Sequence, residues 1–487
     1  MKLQTPSNVF DMTKCLMKLQ EKYLESVRYE FNLSRIEIII LTFLYNNPSY
    51  DSARDIVEFR MLQRGNVSAA VDTLEKKGYL IRYTDSDDKR IVHLKLTEQT
   101  NDIVHTASEL IQRNSQSLHE GEVAAYVQEK MKELGYDKVE VDRYGNVFGT
   151  MKGTGGGSSV MLNCHMDVVY EGDESLWPYP PYSGAIAEGR VWGRGASDTK
   201  GTMAIQIYVP FLLKEAGLLP KGDIITAAVI SEEIAGYGAM VHTQENRMLT
   251  DYAIVGEATE NDIAIGSRGR CCGVITITGK SCHASIPHVG HNPFDFLAQL
   301  LPELQKVPMG SDGLFGSSTM SCTRITSSEE GTNIIPNEIV LYVDYRQSGD
   351  DTPEEVQRKL EAAIANCHVD GVTAKAELLY FPLTTYTGVE GRGYQGENPF
   401  VASADADYIQ KVKAAIEDAV GRKIQTKPWA FATDTGHYAA KGVKCLGYSP
   451  AEIKLCHTTR DSIDIAMMEE GTVGYLAAVQ TLANEPK

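Results

Sequence analysis

The nine cysteines of this 487-residue chain include no CxxC pair and follow no regular spacing. A disulfide framework is therefore not expected, and the pattern fits a reducing cytosol. No signal peptide is expected from the opening residues. No uninterrupted apolar stretch is long enough to span a bilayer, so a cytoplasmic protein with no membrane partner is expected. Positive charge is not in excess either. The formal net charge is −18, and residues 1–115 hold 16 basic and 16 acidic residues, so the remainder carries all of it. An acidic body argues against a nucleic-acid channel in the C-terminal part. No Gly/Ser/Pro-rich stretch near residue 100 marks a flexible linker. GTGGGSS at 153–159 lacks the GK[ST] of a phosphate loop, and GRGASD opens no βαβ unit of the kind a dinucleotide fingerprint needs. The chain is too long for one core, and about two to four domains are expected.

Acids and imidazoles at the ends of apolar runs are what the chain does have. His165 and Asp167 follow VMLNC, and Asp198 lies in GRGASDTKG. Glu232 and Glu233 follow DIITAAVIS, Glu257 follows YAIV, and His457 lies near the end. Short apolar runs bounded by turn signals read as buried strands. Open α/β sheets bind ligands at the carboxyl ends of their strands, so these side chains could converge on one edge. Carboxylates and imidazoles without thiolates suit zinc, manganese or cobalt. An isolated Glu-Glu pair is more often a solvated turn, but a fully buried strand leading into it is a poor surface element.

The first hundred residues read differently. Residues 10–31 form a helix of mixed polarity. LSRIEIIILTFLYNNP follows as an apolar helix capped by Ser34 and closed by NNP. SARDIVEFRM and NVSAAVDTLEKKGYL read as short helices, the second with Gly78 at its end. IRYTDSDDKRIVHLKLT reads as two strands around a charged tip. This α+β order is that of a winged helix-turn-helix. A Leu-Ser start, LEKKGYLIR, a DDKR tip and a closing LKLT make residues 10–115 resemble the MarR-type regulators. The resemblance implies DNA as a partner through residues 33–95. Arg64, Asn66 and Ser68 would open the helix that enters the major groove, and Arg90 would reach the minor groove, held by Asp88. Asp72, Glu75 and the lack of net positive charge favour the competing reading, a docking or remnant domain.

From about residue 100 onward the chain resembles the M20 family of metallopeptidases and amidohydrolases. The carrying pieces are NCHMDVV, GRVWGRGASDTKG, ISEE, VGEAT, GKSCHASIPHVGHNP, NIIP followed by VDYR, and LCHTTRDSI. The resemblance implies an α/β di-metal peptidase domain interrupted by an α+β lid or dimerisation domain. The expected organisation is a winged helix over 1–98, catalytic parts over 99–268 and 383–487, and the insertion over 269–382. The segment after Thr97 also fits the last helix of a MarR-type domain, so one helix could serve both halves.

The same resemblance implies roles. His165, Asp198 and Glu257 would hold one metal, and Asp198, Glu233 and His457 the other. Glu232 would be the general base, and Asp167 would orient the His165 ring. His283 of the insertion would reach a partner's active site in a homodimer, against the simpler reading of a surface-turn histidine. Asn333 and Arg346 would bind a substrate carboxylate, although Arg346 could equally pair with Asp344. The expected function is two-metal hydrolysis, most simply with zinc, of an amide in a small peptide or N-acyl amino acid. The alternative is a metal-site ligand sensor that regulates transcription through the winged helix. An intact Glu232 counts against it, because a sensor needs no general base.

Overall fold

A computed structural model describes residues 34–46, 51–60, 62–76, 80–84, 92–96, 102–348 and 351–487. The expected helix over 10–31, Gly78 and the wing tip with Asp88 and Arg90 lie outside the described residues. The chain divides into two compact units. One is Met1–Thr106 with Pro210–Leu219, the other Ala107–Val209 with Pro220–Lys487.

In the first unit, helices α1 (Arg35–Asn46), α2 (Ala53–Arg60) and α3 (Arg64–Lys76) precede strands β1 (Leu80–Thr84) and β2 (Val92–Leu96). The strands pair antiparallel, Leu80 opposite Leu96 and Thr84 opposite Val92. Ser34 caps α1 as expected, in a reciprocal box. The Glu37 amide donates to Ser34 Oγ and the Ser34 amide to the Glu37 carboxylate. Ser52 and Asp55 repeat the arrangement at the start of α2. Ile40, Phe43, Ile56, Val67, Val71, Leu74 and Leu80 close one core. The spacing of Val67, Val71 and Leu74 turns one stripe of α3 inward and leaves Arg64, Asn66 and Ser68 exposed.

Helix α4 (Asp102–Ile111) contains the point where the two units divide. Its Ala107, Leu110 and Ile111 are fully buried. Helix α5 (Gly121–Glu133) follows, then β3 (Lys138–Val141), β4 (Val147–Met151), β5 (Val160–His165), helix α6 (Gly201–Glu215), β6 (Ile224–Val229), β7 (Tyr252–Val255) and β8 (Ile263–Ser267). After an insertion the chain returns through β14 (Phe400–Val401), α9 (Asp407–Val420), β15 (Thr426–Trp429), β16 (Lys444–Tyr448) and α10 (Ile465–Ala483). The large sheet runs β14-β8-β16-β7-β5-β6-β4-β3, with β15 also on β8. Strands β16, β7, β5 and β6 are mutually parallel neighbours. Every residue of β5, β6 and β7 is buried, as the continuous apolar runs required.

The insertion is an antiparallel sheet flanked by helices. It comprises β9 (Gly269–Thr278), α7 (Pro293–Leu304), β10 (Thr319–Ser327), β11 (Glu338–Gln347), α8 (Pro353–Ala365) and β12 (Thr373–Leu378), in sheet order β10-β11-β9-β12. Strand β13 (Gly396–Glu397) also joins β9, so the sheet recruits residues beyond position 382.

The end of α4 and the turn after it are pinned within the second unit. Ser108 Oγ donates to Gly184 O (2.6 Å), Lys200 Nζ to Arg113 O (2.7 Å) and Ser115 Oγ to Met166 O (2.7 Å). A protein starting at Leu96 should therefore remain soluble and metal-binding. One starting after Ser117 should aggregate, because it loses several buried side chains worth ~1.5–3 kcal/mol each. Size-exclusion chromatography separates the outcomes. A monodisperse shorter form would show that α4 is dispensable to the second unit.

Candidate metal centre

His165 ends β5, and the next two residues fix the start of the centre. The Met166 amide donates to Val229 O (2.7 Å), which locks this strand end against β6. The His165 ring donates through Nδ1 to the main-chain oxygen of Asp167 (2.9 Å), while the Asp167 carboxylate stands off at 3.5 Å. Asp167 thus orients the ring mainly through its carbonyl. Its carboxylate does something else: it accepts from the amides of Glu232 (3.0 Å) and Glu233 (3.2 Å) and from the Ser117 hydroxyl (2.6 Å).

Glu232 and Glu233 begin a single helical turn, Glu232–Ala235, just past β6. Ser231 before them is left-handed, with φ 53°. Glu120 holds it there: Glu120 Oε1 accepts from the Ser231 amide (3.0 Å) and hydroxyl (2.8 Å). Asp198 sits in an irregular loop that follows Gly195. The buried Asp461 carboxylate gathers that loop, accepting from the amides of Gly195 (2.7 Å) and Ser197 (2.9 Å). Glu257 follows β7, and Gly256 before it has no room for a side chain. A Cβ there would meet Cys164 Sγ at 2.3 Å. His457 lies in the loop after β16, with φ 59°.

The seven residues expected at the centre do meet there. His165 Nε2 is 2.9 Å from Asp198 Oδ1 and 3.4 Å from Glu257 Oε1. His457 Nε2 is 3.0 Å from both Asp198 Oδ2 and Glu233 Oε1. Two donor groups have atoms mutually within 4.8 Å: His165, Asp198 and Glu233, and His165, Glu232 and Glu257. Among the described residues, Asp198 alone presents one oxygen to each imidazole.

Electrostatics favour a cation here. Burial and the neighbouring Glu257 push the Glu232 carboxyl well up. Burial and then Asp198 raise Glu257, and push Glu233 up to about 7. Hydrogen bonds to Asp198 and Glu233 push His457 up to about 10. Burial would raise Asp198, but His165 and His457 hold it below the carboxylate range. Protons are thus held where a divalent ion would replace them. Nitrogen and oxygen donors without a thiolate, converging and partly buried, fit such an ion.

The remaining expected site residues are elsewhere. His283 lies on the insertion, exposed, its Nδ1 against Ser285 Oγ at 2.8 Å. Among the described residues, no hydrogen bond or ion pair joins it to the centre. Asn333 is exposed on the same insertion. Arg346 is engaged by Asp344, Nε to Oδ1 at 2.7 Å. In the first unit, Asp72 pairs with Arg82.

Comparison with known proteins decides the family. Residues 161–481, more than half the chain, match the model of Peptidase family M20/M25/M40. The chain belongs to this family. Residues 31–91 match a MarR family model. The M20 chain is 28% identical over 384 residues to succinyl-diaminopimelate desuccinylase of Alkalilimnicola ehrlichii, covering 76% of this chain and 96% of that one. It is 24% identical over 379 residues to uncharacterized protein YgeY of Escherichia coli, covering 76% and 92%. Aminopeptidase PepT from Bacillus cereus shares its fold, with a TM-score of 0.60 at 19% identity over 79% of this chain and 98% of that one. So does YXEP of Bacillus subtilis, described as a dinuclear metal binding peptidase, with 0.56 at 15% over 78% and 98%. The M20 chain is thus a hydrolase of amide C–N bonds that carries a MarR-type winged helix.

Sequence reasoning missed two carboxylates beside the centre. Asp434 lies in FATDTGHYAAKG, where an acid between apolar runs was a signal. Glu397 gave none, because only the sheet pairing brings it in.

The raised acids predict a pH dependence. Without metal, folded Glu233 keeps its proton to about pH 7, against 4.5 for the ordinary carboxyl. The folded state then binds more protons across that window, so its stability falls as pH rises through it. Bound metal favours the ionised form and removes the penalty. The rise in Tm on adding metal to chelator-treated protein should be larger at about pH 8 than at about pH 5. Differential scanning fluorimetry measures it, and equal rises would contradict the assignment.

Proposed function

We propose that this M20 chain hydrolyses an amide in a small peptide or N-acyl amino acid, using two divalent ions, most simply zinc, as a cytoplasmic homodimer. The observation that carries this reading is the pair of oxygens that Asp198 turns to His165 and His457. His165, Asp198 and Glu257 would hold one ion, and Asp198, Glu233 and His457 the other. When bound, the ions supply Lewis acidity and lower the pKa of water. Glu232 takes the proton of the attacking water and returns it to the leaving nitrogen. Its raised pKa and its closeness to Glu257 suit that exchange. Asp167 keeps the two glutamates pointing apart through their amides. His283 would serve the partner's site, in keeping with its exposure on the insertion, and Asn333 and Arg346 would meet a substrate carboxylate. We take the domains as 1–98, 99–268, 269–382 and 383–487.

Glu232→Gln should abolish turnover, by at least ~10², yet keep both metals. Glu233→Ala should lose metal as well. Metal analysis beside assays on dipeptides and N-acyl amino acids tests the division. Equal metal loss in both variants would sink it.

We further propose that the winged helix binds DNA through Arg64, Asn66 and Ser68, with Arg90 on the wing. The exposed start of α3 supports this reading. Arg64→Ala should weaken binding to a fragment from the gene's own upstream region and lower its salt slope by ~0.9. A wild-type protein with no preference for that fragment over random DNA would rule out autoregulation.

A further inference from the structure

Ser231 precedes the two glutamates of the centre and is left-handed, with φ 53° and ψ 42°. A side chain makes that conformation costly, so other groups must hold it. The main chain on either side is already tied. The Ile230 amide donates to Asn146 Oδ1 (3.0 Å), and the amides of Tyr237 and Gly238 return to Ser231 O and Ile230 O, each at 3.0 Å. The Ser231 amide and hydroxyl both go to one atom, Glu120 Oε1.

The same oxygen accepts a third bond, from the Leu118 amide (3.0 Å). Leu118 is left-handed too, with φ 73°. Its neighbour Ser117 donates to Asp167, and Asp167 accepts from the amides of Glu232 and Glu233. These bonds close a circuit. It runs from Glu120 to Ser231, along the chain to Glu232, across to Asp167 and Ser117, and through Leu118 back to Glu120. Glu120 and Asp167 are fully buried, so water does not compete for these bonds. Without Glu120, Ser231 would relax to a negative φ, and the peptide carrying Glu232 would swing away from Asp167. Backbone strain of this kind collects where it aims a reacting group. His165, Asp198, Glu257 and His457 leave the chain elsewhere and would keep the ions when the turn shifts. Glu232 has no such substitute.

We propose that Glu120 is a positioning residue for catalysis: it holds Ser231 left-handed and through that residue aims the Glu232 carboxylate at the attacking water. This rests on the amide-hydrolase reading, in which Glu232 is the base, and adds the residue that directs it. Glu120 itself belongs to neither donor group.

The test compares Glu120→Ala, Ser231→Gly, Ser231→Ala and the double variant of Glu120→Ala with Ser231→Gly, on the full chain at saturating metal. In Glu120→Ala, kcat should fall at least about tenfold, since a small misplacement of a reacting group is enough. KM and metal content should stay within about twofold. Adding Ser231→Gly should recover most of the loss, because glycine takes a left-handed φ at no steric cost. A packing role would not be mended by removing a further side chain. Of the single variants, Ser231→Gly should keep more kcat than Ser231→Ala, although both lose the hydroxyl. That order decides the matter should Glu120→Ala fold poorly. Titration calorimetry with metal gives a readout apart from turnover and should be alike in all variants. A Glu120→Ala protein with a lowered Tm but unchanged kcat per metal-loaded site would overturn the proposal. So would a loss of kcat that glycine does not mend, alanine at 231 outdoing glycine, or a fall in metal affinity as large as the fall in kcat. A wild-type chain that binds metal but cleaves no dipeptide or N-acyl amino acid would overturn the hydrolase reading and this role with it.

Discussion

Both oxygens of Asp167 accept from backbone amides of the Glu232–Glu233 turn, and one also takes the Ser117 hydroxyl. Asp167 is fully buried, so these bonds act with little competition from water. They join the end of β5 to the end of β6 and set which way each glutamate leaves the main chain. The main-chain oxygen of the same residue holds the His165 ring. One side chain and its peptide therefore determine the orientation of three neighbouring groups. Replacing Asp167 by a residue with fewer acceptors would disturb the backbone before it disturbed any charge.

Around that knot the parallel strands provide the frame. β16, β7, β5 and β6 end on one edge, where β5 carries His165 as its last residue and the loops leaving the others carry His457, Glu257 and the glutamate pair. Asp198 comes from a loop that is not a strand end, and it needs a separate anchor, the buried Asp461. The segment from Arg113 to Glu120 braces the arrangement from outside the sheet. It meets Lys200, Met166, Asp167 and Ser231 in turn.

What the sequence made legible follows from local rules. Continuous apolar runs marked β5, β6 and β7, and an acid or imidazole just past a buried strand has few bland explanations. Ser34 marked the start of α1. Asp344 and Arg346 are two apart on one strand and share a face, so their ion pair was readable beside the substrate-binding role. Glu397 was not readable, since it reaches the centre only because β13 pairs with β9 far from it in the chain. Position 283 was named by a motif alone, and among the described residues no hydrogen bond or ion pair joins it to the centre.

The two imidazoles differ sharply in access. His165 is 1% exposed at the end of a central strand, whereas the side chain of His457 is 52% exposed on a left-handed loop residue. An ion held by His165 and Glu257 would be walled in by the sheet, while one held by His457 would border solvent. Loading of such a centre would be kinetically lopsided. Dilution, competing chelators and foreign metals would reach the His457 side first, and a half-filled state would precede both full loading and full loss.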